Sequence, residues 1–334
     1  MSKDIKRTDS CKADITIVVP CYNSEKTLGR CLDSLLAQTI PVKIIVVNDG
    51  SKDGTQALAE SYAKSNPNIH VHTQENAGQP QARKAGLILS DTKYTAFVDS
   101  DDWIEPNMME TLHRLSVQYQ AELSVCGIYY DRHGKSSVKP GAVSSEACME
   151  GKSALRFLHL RKGIHAFMWN KLYLTEKART IVFPYGNFLG EDYCALVPWL
   201  ENVGVVAVTD RPLYHYVIQD VSNSKCGFGP IQRKGYEQYA ALYHSFQQNH
   251  SNRDCEDMAN YLCVEYSAIF VAMIRNQNFD QNIIESIRSF LKQHLRAYMK
   301  SQNQLHYLIS VILIAWCPKL FQKLYTIFVR YARV

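Results

Sequence analysis

Three carboxylates fall within four residues at Asp99-Ser100-Asp101-Asp102, directly behind the apolar run Tyr94-Thr95-Ala96-Phe97-Val98. A set this close repels itself unless a cation or donated hydrogens relieve it. Mg2+ takes one or two protein carboxylates and fills its remaining positions with water and substrate phosphates. Alternate residues of an extended segment point the same way, so Asp99 and Asp101 can address one ligand. The other reading is a solvated acidic turn. Asp49, after Val46-Val47-Asn48, can accept from a nucleobase edge or form an Asx turn. Arg83 can pair with a diphosphate or sit at the surface. Glu191-Asp192, beside Gly190, can supply a general base to a hydroxyl or form a solvated acidic pair. No Gly-x-Gly-x-x-Gly follows the first apolar run, and no Gly-x-x-x-x-Gly-Lys-Ser/Thr occurs, which argues against a dinucleotide site and a P-loop NTPase.

The elements that must position these groups alternate. Residues 15–20, 43–48, 69–73 and 93–98 are β-branched or apolar runs that predict strands. Helical spacing marks residues 28–36, 54–65 and 80–89 between them, with Ser24 as a candidate N-cap. Strands alternating with single helices mean βαβ units, right-handed crossovers and a parallel sheet. Ligands of such sheets bind beyond the carboxyl ends of the strands, where Tyr22-Asn23, Asp49-Gly50-Ser51 and Asp99-Ser100-Asp101 all lie. Further on, residues 121–130, 203–208 and 213–217 predict strands, 151–160 a helix, and 131–145 a loop. From about Pro230 the pattern is helical, with Tyr239, Leu242, Tyr243 and Phe246 in register.

The chain has 334 residues, 46% hydrophobic and 21% charged, an ordinary globular composition that argues against disorder. The apolar run from Tyr307 to Cys317 is about half of the ~20 residues a spanning helix needs, so a polytopic membrane protein is not expected. The polar N-terminus lacks a secretory core. The ten cysteines, none in Cys-x-x-Cys, read as free or buried thiols. The net charge of +5 is uneven. No acid follows Glu285, while eight bases do, which leaves 29 bases against 32 acids in the body. A nucleic-acid binder would spread its basic surface over the fold, so no nucleic acid is expected. An apolar, basic tail broken at Pro318 instead suits an anionic membrane surface, with Trp316 at headgroup depth. A helical hairpin capping the fold is the alternative.

Together the motifs resemble family 2 glycosyltransferases of the GT-A fold, as found in bacterial capsule, exopolysaccharide and lipopolysaccharide assembly. The matching segments are Val18-Val19-Pro20-Cys21-Tyr22-Asn23, Val47-Asn48-Asp49-Gly50-Ser51, Asn76-Ala77-Gly78 with Ala82-Arg83-Lys84-Ala85-Gly86, and Val98-Asp99-Ser100-Asp101-Asp102-Trp103. Trp169-Asn170-Lys171-Leu172, Gly190-Glu191-Asp192, and Tyr214-His215-Tyr216 ahead of Ser222-Asn223-Ser224 complete the series. The resemblance implies an α/β fold with a Rossmann-like, mostly parallel sheet flanked by helices and a C-terminal helical extension. It implies a polar N-terminal tail over residues 1–13, a catalytic domain over 14–225, a helical region over 226–304 and a basic amphipathic tail over 305–334.

It further implies an inverting transfer from a nucleotide-diphosphate sugar, often a UDP-sugar, with Mg2+ or Mn2+ as cofactor. The sugar would be a hexosyl or N-acetylhexosaminyl unit. The acceptor would be a glycan or lipid-linked glycan, and the location peripheral on the cytoplasmic face of the inner membrane. By resemblance, Pro20, Tyr22, Asn23, Glu25 and Asp49 surround the base and ribose. Asn76, Arg83 and Ser100 belong to the donor pocket, and Asp99 and Asp101 hold the metal. Asp192 is the base, and Trp169, Lys171 and Glu191 lie on the acceptor side. Val217 stands where the family often has an arginine near the diphosphate, with His215 or Lys225 as possible substitutes. A nucleotidyltransferase and a non-catalytic glycan-binding relative are the competing classes. The first would prefer a glycine-rich, lysine-containing phosphate loop, which is missing.

Overall fold

A computed structural model describes residues 13–138, 145–219, 227–301 and 305–331. The expected N-terminal tail, Ser222–Ser224 and Lys225 therefore lie outside the described residues, apart from position 13.

The first half alternates as expected. Strand β1 (Ile15–Cys21) leads to helix α1 (Leu28–Leu36), β2 (Val42–Asp49) to α2 (Thr55–Ser65), and β3 (Ile69–Gln74) to α3 (Gln79–Leu89) before β4 (Tyr94–Phe97). β1 pairs in parallel with β2 and β4, and β2 with β3. Along β1 the side chains split by parity, as a pleated strand requires. Val18 joins one core while Ile15, Ile17 and Val19 join the other. Helices must therefore cover both faces of the sheet. Ser24 is not the N-cap of α1. Thr27 holds that position without a side-chain cap, and the Ser24 hydroxyl instead lies 2.8 Å from that of Ser100.

The second half is more antiparallel. After β5 (Trp103–Ile104) and α4 (Met108–Gln118), β6 (Leu123–Arg132) turns into β7 (Lys135–Val138), so the expected loop begins as a hairpin. Then come β8 (Glu146–Glu150), α5 (Gly151–His159), β9 (Lys171–Leu174), the single turn α6 (Thr175–Ala178), α7 (Glu191–Leu200) and β10 (Val205–Val217). The strand order is β3-β2-β1-β4-β9-β6-β10-β5, with β7 on β6 and β8 on β10. The two strands expected at 203–208 and 213–217 are one, β10, interrupted by register shifts around Pro212. Proline gives no ladder hydrogen, so the sequence reads as a break where the chain only bulges.

The rest is helical: α8 (Pro230–Asn249), α9 (Asn252–Asn276), α10 (Gln281–Ser301), α11 (Leu305–Trp316) and α12 (Pro318–Tyr331). α9 is long and apolar enough to cross a membrane by composition, but it is mostly buried inside the fold. Its Leu262, Tyr266 and Phe270 share one continuous core with Val18, Phe97 and Leu196. Val311, Ile314, Ala315 and Phe321 join that core from α11 and α12, so the tail does cap the fold with one face. The eight cysteines among the described residues are all free.

Candidate active site

A cavity of about 820 Å³ opens at the carboxyl ends of β1, β2 and β4. Pro20, Tyr22, Asn23, Glu25, Asp49, Asn76, Asp99, Ser100 and Asp101 line it, together with Glu191 from α7. The geometry thus gathers ten of the expected site residues from five separate segments. Tyr22 is about half exposed and free to meet a ligand face. Asn23 has a left-handed backbone (φ 51°) and accepts from Lys52 N at 2.8 Å, which ties the β1 loop to the β2 loop. Glu25 accepts from Gly54 N at 3.1 Å in the same seam.

Asp49 is almost wholly buried. Its carboxylate accepts from Gln74 Nε2 (2.8 Å), Ala77 N (2.9 Å) and Gly78 N (2.9 Å). A carboxylate offers about four acceptor positions, so these three donors leave one open. Gly78 (φ 92°) is the residue before α3, and a side chain there would also strike Asn187 Oδ1 at 2.8 Å.

The acidic cluster divides by role. Ligand atoms of Asp99, Asp101 and Asp102 lie within 4.8 Å of one another. Asp102 is spent on structure, since one oxygen accepts from Tyr214 Oη and the other from Val217 N, each at 2.8 Å. Its burial, with Asp101 and Asp99 beside it, drives its carboxyl well up. Asp101 faces the cavity and accepts from Gln219 Nε2 at 3.0 Å. Burial and the Asp99 charge push its carboxyl up to about 6. Hard oxygen donors at the end of a strand fit Mg2+ or Mn2+, and Asp99 and Asp101 remain the candidates to hold it.

Arg83 is where the geometry departs from expectation. It is 1% exposed and does not line the cavity, so it is not placed to grip a diphosphate. Its two terminal nitrogens instead donate to Asp99 Oδ1 and Asp192 Oδ1, both at 2.7 Å. Burial pulls the guanidinium down, but Asp192 and Asp99 outweigh it and hold it above its ordinary value. One guanidinium thus sets the downstream carboxylate beside the acidic cluster. Gln79, which sequence reasoning passed over, adds a third contact to the network through Asp99 Oδ1 at 3.0 Å.

Glu191 and Asp192 form the first turn of α7, where the helix dipole favours negative charge. Gly190 precedes them in a left-handed conformation (φ 86°), with Tyr239 Oη 1.9 Å from where a Cβ would sit. Asp192 also accepts from Met168 N at 3.1 Å. Burial pushes its carboxyl up, Arg83 pulls against that, and Asp99 adds to the rise. Burial and then Asp192 push Glu191 up to about 7.

Trp169, Lys171 and His215 belong to the frame instead. Trp169 is stacked between Phe167 (centroids 4.3 Å) and Tyr214 (4.4 Å). Lys171 is fully buried, donating to His165 O at 3.0 Å and Asn170 Oδ1 at 2.8 Å, and burial pulls its ammonium down to about 7. Neither faces the cavity, which corrects their expected acceptor role. His215 sits between Trp103 (3.4 Å) and Tyr129 (4.3 Å), with its ring nitrogens 3.0 Å from Asp131 Oδ2 and Glu105 Oε1. It is not available to replace the missing arginine at Val217.

Comparison with known proteins follows the same lines. The sequence pattern of the family described as Glycosyl transferase family 2 matches residues 16–179. The chain belongs to glycosyltransferase family 2. It is 35% identical over 221 residues to "Glycosyltransferase GlyA" of Streptococcus pneumoniae, which covers 63% of this chain but only 31% of that protein. The chain thus spans about a third of that relative's length. The S. aureus TarS fragment 1-349 in complex with UDP-GlcNAc superposes with a TM-score of 0.66 over 90% of each chain, at 18% identity. The mannosyltransferase PcManGT of Pyrobaculum calidifontis, in complex with GDP-Man and Mn2+, gives 0.51 at 14% identity, over 91% of this chain and 87% of that one. At such identities the likeness is one of fold. The sheet and its flanking helices are those of the GT-A type.

Proposed function

We propose that this family 2 glycosyltransferase moves a sugar from a UDP-sugar to a hydroxyl of a growing surface glycan, with inversion at the anomeric carbon. The observation that carries the reading is the Arg83 bridge, which joins Asp99 in the wall of the large cavity to Asp192 in the wall of its smaller neighbour. Tyr22 stacks on the base, and the remaining acceptor position of Asp49 takes a base N–H. Asn23 and Glu25 hold the loop that receives the ribose. A divalent ion on Asp101 and Asp99 would neutralise the departing diphosphate. The reaction centre develops oxocarbenium character, as in glycoside hydrolysis. Asp192 accepts the proton of the acceptor hydroxyl as it attacks from the opposite face. Arg83 orients that carboxylate and keeps it ionised, while burial keeps it basic.

A second assignment of the base has a specific observation behind it. Glu191 lines both the large cavity and its smaller neighbour, and its carboxyl is pushed up to about 7, which suits a base at neutral pH. The test is UDP release from a panel of UDP-sugars with Mn2+, alongside UDP binding by calorimetry. Asp192→Asn should lower release by ~10²–10⁴-fold with UDP affinity close to wild type. Wild-type release by that variant, together with a comparable loss in Glu191→Gln, would move the base to Glu191. If neither UDP nor any UDP-sugar binds, the donor reading fails.

The acceptor is proposed to be lipid-linked, with the enzyme lying on the cytoplasmic face of the membrane. The support is the tail. α11 and α12 bury one face but leave Leu305, Ile309, Trp316, Leu320, Leu324 and Ile327 largely exposed. Lys319 and Lys323 are exposed beside them, and Lys292 Nζ lies 4.8 Å over the Trp316 ring. Apolar side chains ringed by cations suit an anionic bilayer interface.

A further inference from the structure

We infer that Tyr214 is a positioning residue for the metal site, its hydroxyl fixing the Asp99 backbone against the Asp102 side chain so that Asp99 and Asp101 present their carboxylates to one ion. The inference rests on the metal assignment above and adds to it a residue that touches neither sugar nor ion.

The acidic turn is held from outside itself. Tyr214 donates its hydroxyl hydrogen to Asp102 Oδ2 at 2.8 Å and accepts from Asp99 N at 3.2 Å. A hydroxyl has a single donor and two acceptor lone pairs, so one oxygen ties the first residue of the turn to the last. The other carboxylate oxygen of Asp102 accepts from Val217 N at 2.8 Å, and Gln219 Nε2 donates to Asp101 Oδ2 at 3.0 Å. Directly after the turn, β5 pairs with β10, Trp103 opposite His215 and Ile104 opposite Tyr214. The end of β10 thus clasps the whole segment, through side chains that lie 112 to 118 positions further along the chain.

Tyr214 is built to hold its place. It is fully buried, and its ring stacks on Trp169 with centroids 4.4 Å apart. Next to Trp169, Met168 N donates to Asp192 Oδ2. The acidic turn and Asp192 are therefore joined through Tyr214 as well as through Arg83. The two routes act on different parts of Asp99. Arg83 and Gln79 both contact the side-chain Oδ1, whereas Tyr214 contacts the main chain.

The turn needs such a hold. Ligand atoms of three carboxylates lie within 4.8 Å of one another, and like charges at that spacing repel. Within the turn, the Asp102 N–H bond to Asp99 O at 3.0 Å opposes this spreading. Mg2+ demands near-ideal octahedral geometry, so a small opening of the turn is felt as lost metal affinity. Groups that orient ligands without touching the ion typically contribute ~10–100-fold to that affinity.

Tyr214→Phe keeps the ring and its stack and removes the oxygen. On the full chain, Mn2+ binding in the presence of UDP is read by electron paramagnetic resonance, and uridine binding without metal by saturation-transfer NMR. Mn2+ should bind ~10–100-fold more weakly, with uridine affinity unchanged. Asp102→Asn keeps an acceptor for Val217 N but leaves the Tyr214 hydroxyl hydrogen without one, so it should show the same split. The double variant should lose no more Mn2+ affinity than the weaker single variant, since both remove one bond. Should only one single variant fold, that one decides. Wild-type Mn2+ affinity in the variant overturns the inference, and so does a parallel loss of uridine binding. Additive losses overturn it by making Asp102 itself a ligand. Failure of both variants to fold overturns it by making the hydroxyl a requirement of the fold alone. If the wild-type chain binds uridine but no Mn2+, the metal assignment falls and this inference with it. If wild type and Tyr214→Phe bind Mn2+ equally, this inference falls alone.

Discussion

Replacing Arg83 by methionine keeps the aliphatic bulk and removes the charge that two carboxylates share. The side chain is 1% exposed, and both of its terminal nitrogens make 2.7 Å contacts to Asp99 and Asp192. Breaking a buried ion pair from one side costs ~3–5 kcal/mol, because the partner charge stays behind uncompensated. At ~2.1 cal/mol/K per residue, a chain of 334 residues has an unfolding entropy near 0.7 kcal/mol/K. The melting temperature should therefore fall by roughly 4–7 °C at pH 8. The sign of its pH dependence follows from linkage. Without the guanidinium, the rise that burial imposes on Asp192 is no longer opposed, so this carboxyl takes up a proton in the folded state at a pH where the unfolded chain has lost it. The variant is then stabilised at low pH and loses that stability as pH rises. The gap between variant and wild type should be widest at pH 8 and should narrow toward pH 5. Thermal unfolding at both values reads it. A loss below ~1 kcal/mol, or a gap that does not change with pH, would refute the view that Arg83 is an electrostatic clamp.

Three further outcomes follow from the same geometry. Glu191→Gln removes a carboxyl that burial raises to about 7, against an unfolded value near 4.5. Wild-type stability from this group is intact below about 4.5 and is lost as pH rises through about 7, so the variant's advantage should grow from pH 5 to pH 8, by up to ~2 kcal/mol after allowance for partial exposure. Denaturant melts at both pH values check it, and a constant difference would contradict it. Gly190→Ala forces a left-handed residue to carry a Cβ 1.9 Å from Tyr239 Oη, so it should destabilise by more than ~2 kcal/mol. An unchanged melting curve would show that the turn can yield. Changing Leu320, Leu324 and Ile327 together to serine should leave the fold intact and abolish co-sedimentation with phosphatidylglycerol vesicles. Truncation is a poorer test, because it would strip Val311, Ile314, Ala315 and Phe321 from the core.

The sheet was readable because its strands sit in the simplest setting. β1, β2 and β4 are covered on both faces, so they appear as unbroken apolar runs with polar punctuation where each strand stops. The acidic cluster was readable for the same reason, since Asp99 and Asp101 follow such a run directly. The elements that escaped are those whose identity comes from neighbours. β9 is four residues long and exists because β4 and β6 flank it. β5 is two residues long and pairs with the end of β10. β7 is exposed throughout, so no apolar pattern announces it.

The residue roles that went astray did so through burial, which sequence does not carry. A lysine and an arginine in polar motifs read as ligand contacts because such residues are seldom fully buried unless paired. Lys171 is the exception that satisfies its ammonium on the His165 carbonyl and on the amide oxygen of Asn170, its neighbour in the Trp-Asn-Lys-Leu segment. Asn170 makes this possible by turning left-handed (φ 56°) and sending its own amide to Cys126 O. The same logic hid the smaller cavity. Arg161 and Glu265 are separated by 104 positions, and nothing local to either one calls for the other. Only a fold that lays α9 against the turn after α5 brings them together, and it is this packing that turns the C-terminal helices into one wall of the cleft.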